Sequence, residues 1–262
     1  MPASVFDLYA LLPVFLLVLF RIGGLMLAAP FFSAAGLPAQ IKILLTVAMS
    51  LAVFPLMVGH LAMQVTMASA LVGLIGELAM GLLMGFSVSL ILLGVELACE
   101  AVGQKCGLRL GSVFNPMMEV EGDVLAQLYY MTAFVVFLLV GGHRALMRAV
   151  LDSFATIPPL GFRWSAGLLD FVVDLLDVSL AIAIRVGGPA ILALLLAYMT
   201  LGFVSRTVPQ LNILTVGFPI KLALGIFMMA LTIMSLEPIL LDGLSTSIDG
   251  LRAVLGLSPM SG

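Results

Sequence analysis

The chain has 262 residues, of which 63% are hydrophobic and 10% are charged, and its formal net charge is -3. An ordinary soluble domain is about 45–50% apolar and about 25% charged, so this composition excludes a water-soluble fold around one packed core. No block of basic residues is present, which argues against a nucleic-acid partner. We therefore expect an all-helical integral membrane protein that has lipid as its solvent.

Six apolar segments follow one another along the chain, at residues 8–29, 41–58, 66–98, 124–140, 171–204 and 211–241. A helix needs about 20 residues to cross a bilayer core of about 30 Å, and several of these segments are that long. The first is preceded by Asp7 and by no Lys or Arg, so we interpret it as a retained helix and not as a signal peptide.

Proline and polar residues divide the chain further. Pro189 and Pro219 lie inside the last two segments, where each removes a backbone hydrogen bond, so we expect long helices that are kinked or broken there. We expect a single domain over 1–262, with a polar connection at about 103–123 and a short C-terminal tail at about 242–262.

The basic residues of the connections do not give an orientation. If all six segments cross the membrane, Arg144, Arg148, Arg163 and Arg252 fall on one side, and Lys42, Lys105, Arg109 and Arg206 fall on the other. The positive-inside rule needs an excess on one side. Either the span count is wrong or the segments do not all cross lipid in the usual way.

Five charged residues fall within or beside apolar segments: Arg21, Glu77, Glu96, Arg185 and Lys221. A bare charge at the bilayer centre costs at least about 2.5–3.5 kcal/mol. We expect these side chains to pair with each other, to face a watery cavity, or to contact other subunits. For Arg21 and Glu96, reaching out to water from a helix end is the alternative.

Small residues line one face of the third segment. Glu77, Gly81, Gly85 and Ser89 recur every four residues, so they share a helix face. Small residues let another helix backbone approach closely in a membrane. We expect this stripe to form a helix–helix contact, and the spacing leaves open whether the other helix belongs to the same chain.

Signatures of enzymes and metal sites are missing from the sequence. It contains no HExxH, GxGxxG or P-loop motif, and Cys99 and Cys106 are too far apart along a helix for a disulfide. We expect a protein that is not an enzyme and has no cofactor, no metal, and two packed thiols.

The polar connection carries an apolar cluster in an irregular setting. Glycines and charges surround six residues that we single out as a seal: Val113, Phe114, Asn115, Pro116, Met117 and Met118. Irregular backbone at membrane depth is stable only when it is buried in protein or lines a water-filled cavity, and Met is suited to a soft contact that can repack. An ordinary surface loop is the alternative.

Short motifs along nearly the whole chain resemble the FliR family of flagellar biosynthesis proteins and their type III secretion counterparts. The motifs lie at 21–25, 29–33, 36–42, 103–105, 114–116, 142–146, 153–154, 206–212 and 216–221. Each motif is weak alone, and their order and spacing carry the resemblance.

The resemblance implies a subunit of a helical, conical export gate in the bacterial inner membrane, within the flagellar basal body. FliP, FliQ, an FlhB-like switch protein, membrane lipid and unfolded flagellar proteins would be its partners. The family has an inward loop that closes the channel, and its matching positions here are roughly 111–122. The embedded charges Arg21, Glu77, Arg185 and Lys221, with Gly81 and Gly85, would serve subunit contacts, and the Glu77 stripe would face a FliP- or FliQ-like neighbour.

Two alternatives to a flagellar gate stay open. The same family serves injectisomes, and the sequence does not separate the two systems. A small secondary transporter with helices broken near Gly187–Pro189 and 217–219 is the rival from another class. A transporter of that kind predicts an inverted repeat, which we do not find.

Overall fold

Eight helices make up the regular structure of a computed structural model that describes residues 5–30, 38–61, 67–107, 124–161, 166–208 and 213–255. Within these ranges every regular element is helical, as the composition predicts. In chain order the helices are α1 Val5–Ala28, α2 Ala39–Leu61, α3 Met67–Cys106, α4 Val124–Leu139, α5 Gly142–Thr156, α6 Ala166–Thr207, α7 Ile213–Ile233 and α8 Leu236–Leu255.

Two of the helices are far longer than a membrane is thick. Helix α3 has 40 residues and α6 has 42, so at 1.5 Å per residue each is about 60 Å long. The hydrocarbon core of a bilayer is about 30 Å thick. A large part of each helix therefore extends beyond the core or is tilted strongly within it.

The span count differs from the six apolar segments read from the sequence. Among the described residues, α1, α3, α6 and α7 are long and apolar enough to cross a membrane, and α4 with α5 gives a fifth span if the two count as one broken helix. The apolar part of α2, Ala39–Pro55, is shorter than these spans. The balanced charge count rested on six spans, and with four or five it no longer applies.

Neither α6 nor α7 is broken at its proline, and the kink expected there stays a prediction. Helix α6 continues through Pro189 and α7 continues through Pro219. A proline costs its helix one hydrogen bond, which local adjustment can replace inside a protein or membrane.

Two stretches outside the predicted apolar segments, one between segments and one at the C-terminus, contain helices. Residues 141–170 lie between the fourth and fifth apolar segments of the sequence, yet they include α5, whose buried residues Leu146, Ala149, Val150, Ser153 and Phe154 follow helical spacing. The expected C-terminal tail at 242–262 coincides with most of α8, which begins after a turn at Met234 and Ser235.

The chain forms two compact units that share α3, α6 and α8. Unit 1 comprises Met1–Leu90, Gly141–Leu175 and Ser245–Gly262, and unit 2 comprises Ile91–Val140 and Leu176–Leu244. The single domain expected over 1–262 stays a prediction.

Each unit has its own apolar core. That of unit 1 includes Leu17, Leu25, Met80 and Met84, and that of unit 2 includes Leu92, Val186, Leu194 and Leu240. In unit 2, Gly94 lies against Ser179 and Gly187 lies against Ala98, so α3 and α6 run parallel there.

Candidate functional site

An ion pair lies in the centre of unit 1. The Nε of Arg21, on α1, donates to Oε2 of Glu77, on α3, over 2.5 Å. Both side chains are completely buried. The embedded charges were expected to have partners, and these two pair with each other.

The remaining polar atoms of Arg21 are also occupied. Its Nη1 donates to the Ser153 hydroxyl at 3.2 Å, and both Nη atoms donate to the carbonyl oxygen of Ile157 at 3.2 Å. The guanidinium also stacks on the ring of Phe154, with Cζ 4.2 Å from the ring centroid. Arg21 therefore joins α1 to α5 and to the segment that follows α5.

Glu77 uses its second oxygen to hold that same segment. Its Oε1 accepts the backbone N–H of Leu160 at 3.1 Å. Leu160 has a φ of 73°, in the left-handed region that side chains other than glycine rarely adopt. Gly73 leaves space for the Leu160 side chain, because a Cβ at Gly73 would overlap the Leu160 Cδ2. The carboxylate thus stabilises a strained turn as well as the arginine.

The small-residue stripe lies directly beside the ion pair and packs against α1. A Cβ on Gly81 would overlap the Arg21 carbonyl oxygen, and a Cβ on Gly85 would lie 2.8 Å from both Ala28 and Ala29. At the end of the stripe, the Ser89 hydroxyl donates to the carbonyl oxygen of Ala28.

This contact corrects the expectation that the Glu77 stripe faces a neighbouring subunit. Helix α1 of the same chain occupies that face, because glycine lets the two backbones approach within van der Waals distance. Gly24, on α1, lies against the backbone of α3 in the same contact. Close packing and a buried ion pair therefore reinforce one another between α1 and α3.

The embedded cations of unit 2 have partners that are partly exposed. Arg185 pairs with Asp242 over 2.6 Å, and both side chains are more than half exposed. The Nζ of Lys221 lies 4.2 Å from the ring centroid of Tyr198. The Tyr198 hydroxyl donates to the Lys105 carbonyl oxygen at 2.5 Å, which fixes the ring beside the end of α3.

The six residues of the expected seal, Val113 to Met118, lie outside the described residues. Helix α3 ends at Cys106, and Gly107 follows it with a φ of 89°. A glycine in the left-handed region is a common way to end a helix. The expected connection at 103–123 therefore begins with the last turn of α3.

Both cysteines belong to the packing of α3. Cys99 and Cys106 are buried, and the Cys106 thiol donates to the Lys221 carbonyl oxygen at 3.7 Å. Gly225 lies so close to the Cys106 sulfur that a Cβ there would overlap it. Across the described ranges no group of three or more His, Cys, Asp and Glu side chains could hold a metal ion.

The groups that complete these contacts were not predicted from the sequence. Ser153, Ile157 and Leu160 complete the Arg21–Glu77 pair, and Asp242 and Tyr198 serve the cations of unit 2. Ser153 and Phe154 formed one of the motifs of the family resemblance, which was the only signal for the first group. The backbone groups of Ile157 and Leu160 leave no trace in the sequence.

Known proteins resemble the chain along most of its length. A family model described as "Bacterial export proteins, family 1" matches residues 12–246. The chain is 25% identical to "Flagellar biosynthetic protein FliR" of Bacillus subtilis (strain 168), over 98% of this chain and 99% of that protein. It is 30% identical to the protein of the same name from Pectobacterium carotovorum subsp. carotovorum, over 83% of each. It is also 28% identical to "Yop proteins translocation protein T" of Yersinia pestis, over 64% of this chain and 66% of that protein.

Proposed function

The chain belongs to family 1 of the bacterial export proteins, and from this membership we propose that it is a core subunit of the flagellar type III protein export gate. At the coarser level it is a membrane component of a flagellar or type III export apparatus and not an enzyme. The finer proposal is that it lines, with FliP and FliQ subunits, the channel through which unfolded flagellar proteins cross the inner membrane.

The observation that carries the proposal is the full-length match to a flagellar relative. The similarity to the Bacillus subtilis protein extends over 98% of this chain, whereas that to the Yersinia pestis translocation protein covers 64%. This difference favours a flagellar system over an injectisome. The injectisome remains the second candidate because that translocation protein is a relative.

The long helices favour a subunit that works inside an assembly. Few residues of α6 and α7 are buried within the chain: in the apolar 18-residue stretch that qualifies each helix as a span, 28% of the residues are buried in α6 and 22% in α7. Lipid can cover about 30 Å of such a surface, while α6 is about 60 Å long. Other subunits of the gate, including an FlhB-like protein, would cover the remainder.

We also propose that Val113, Phe114, Asn115, Pro116, Met117 and Met118 close the channel when no substrate is present. Their apolar side chains would exclude water and ions, and the flexible methionines would let the contact reopen. The proposal rests on the chemistry of this segment and on its place in the family pattern.

The proposal is tested in the source bacterium by deleting the gene and restoring it in variant forms. The deletion strain should neither swim nor secrete flagellar subunits, and the unaltered gene should restore both. A variant lacking residues 113–118 should assemble and should let a small solute leak across the inner membrane.

A matched pair of variants separates the seal from the length of the segment. Met117→Leu with Met118→Leu keeps an apolar seal and should not leak, whereas Met117→Ser with Met118→Ser should leak. Normal swimming after deletion of the gene would refute the flagellar function. No leakage from an assembled 113–118 deletion would make this segment an ordinary connection.

A further inference from the structure

An apolar groove opens on unit 1 between α1, α2 and α3. Its volume is about 320 Å³. The lining includes Leu19, Gly23 and Leu27 of α1, Ile43 and Val47 of α2, and Leu78 of α3, and its one charged member is Lys42. We propose that this groove binds one acyl chain of an anionic phospholipid, with Lys42 holding the phosphate of the headgroup.

The register of the two helices places Lys42 at the end of the α1 span. Phe15 packs edge-on against Phe54, and Gly23 lies beside Thr46, so α1 and α2 run antiparallel. Continuing this register by one turn brings Lys42 opposite Leu27. The candidate span of α1 ends at Ala28, so Lys42 lies beside the end of that span, where a helix that crosses the bilayer meets the headgroups.

Lys42 is available to an anion. The described residues give it no carboxylate partner, and its side chain is half-buried along the groove. The only other polar lining group, the Thr46 hydroxyl, already donates to the Lys42 carbonyl oxygen at 2.7 Å. The groove therefore offers hydrocarbon along its length and one positive charge at its end, which matches an anionic lipid.

The apolar lining of the groove is open along one side. The groove holds about 320 Å³, and its lining continues onto Leu27 and Ile43, which are 67% and 64% exposed. A hydrocarbon chain suits such a space, because it has no hydrogen-bonding groups to satisfy and loses its contact with water there.

The test measures lipid binding by the full chain, extracted together with its natural partners. After the lipids are removed, phosphatidylglycerol or phosphatidylcholine with identical acyl chains is added, and the bound lipid is counted by native mass spectrometry. The unaltered protein should prefer phosphatidylglycerol about fivefold, because one lysine near an anionic lipid contributes about 1 kcal/mol. Lys42→Gln should remove the preference and keep the binding of both lipids.

Two substitutions at Gly23 test the groove itself. A Cβ on Gly23 would meet only Thr46 Cγ2, at 3.7 Å, so Gly23→Ala should fold and bind lipid as before. Gly23→Leu should fill the groove and reduce the binding of both lipids. Lys105→Gln, at an exposed lysine outside the groove, is the matched charge control and should leave the preference unchanged.

Three results would overturn the proposal: an unaltered preference in Lys42→Gln, undiminished binding in Gly23→Leu, or no bound lipid in the unaltered protein. Because lipid binding is measured without export, these outcomes leave the proposed export function untouched.

Discussion

Neutralising Glu77 tests the buried ion pair most directly. Glu77→Gln keeps the size of the side chain and an oxygen that can still accept the Leu160 N–H, but it removes the negative charge beside Arg21. The guanidinium then stays completely buried without a counter-ion. Breaking a buried pair in this way costs about 3–5 kcal/mol, out of a typical total of about 5–15 kcal/mol.

The expected loss of unfolding free energy can be converted into a change in melting temperature. For chains of 150–250 residues, 1 kcal/mol corresponds to about 2–4 °C, so Glu77→Gln should lower the Tm by roughly 6–20 °C. Glu77→Leu should lose a further amount of about 1 kcal/mol, because the partly buried Leu160 N–H then loses its acceptor. The assay is thermal unfolding of the detergent-extracted protein, together with the amount that accumulates in the membrane.

A double variant separates the charge effect from a general loss of packing. Arg21→Met alone should destabilise the protein about as much as Glu77→Gln, since it leaves the carboxylate without its guanidinium. The combination of the two removes both buried charges and should be more stable than either single variant. A Tm of Glu77→Gln within about 1 °C of the unaltered protein, or strictly additive losses in the double variant, would refute this reasoning.

Two further predictions concern glycine packing and thiol burial. Gly81→Ala should destabilise the protein by about 1–3 kcal/mol, because its Cβ meets the backbone of Arg21. The control Gly202→Ala, with nothing within 4 Å of its Cβ, should be neutral or stabilising by about 0.5–1 kcal/mol. Thermal unfolding measures both variants. Cys99 and Cys106, which are 1% and 0% exposed, should resist a maleimide reagent until the protein is unfolded, and rapid labelling of the folded protein would contradict their burial.

Local sequence patterns predicted where the long apolar helices lie but not whether they are interrupted. The apolar runs located the cores of α1, α3, α6 and α7, because hydrophobicity over about 20 residues is a local property. The prolines of α6 and α7 were expected to break their helices and do not. Their cost depends on surroundings that the sequence pattern leaves out.

For the candidate site, too, the sequence predicted some features and the tertiary structure decided others. The sequence alone determined that Arg21 and Glu77 need partners, since a bare charge in lipid is too costly, and that the glycine stripe forms a close helix contact. Only the tertiary structure decided that these residues, 56 positions apart, pair with each other, that α1 covers the stripe, and that the backbone of Ile157 and Leu160 completes the network. Composition and spacing show which charged side chains would be too costly to leave unpaired in lipid. The identity of each partner depends on which distant segments of the chain pack together.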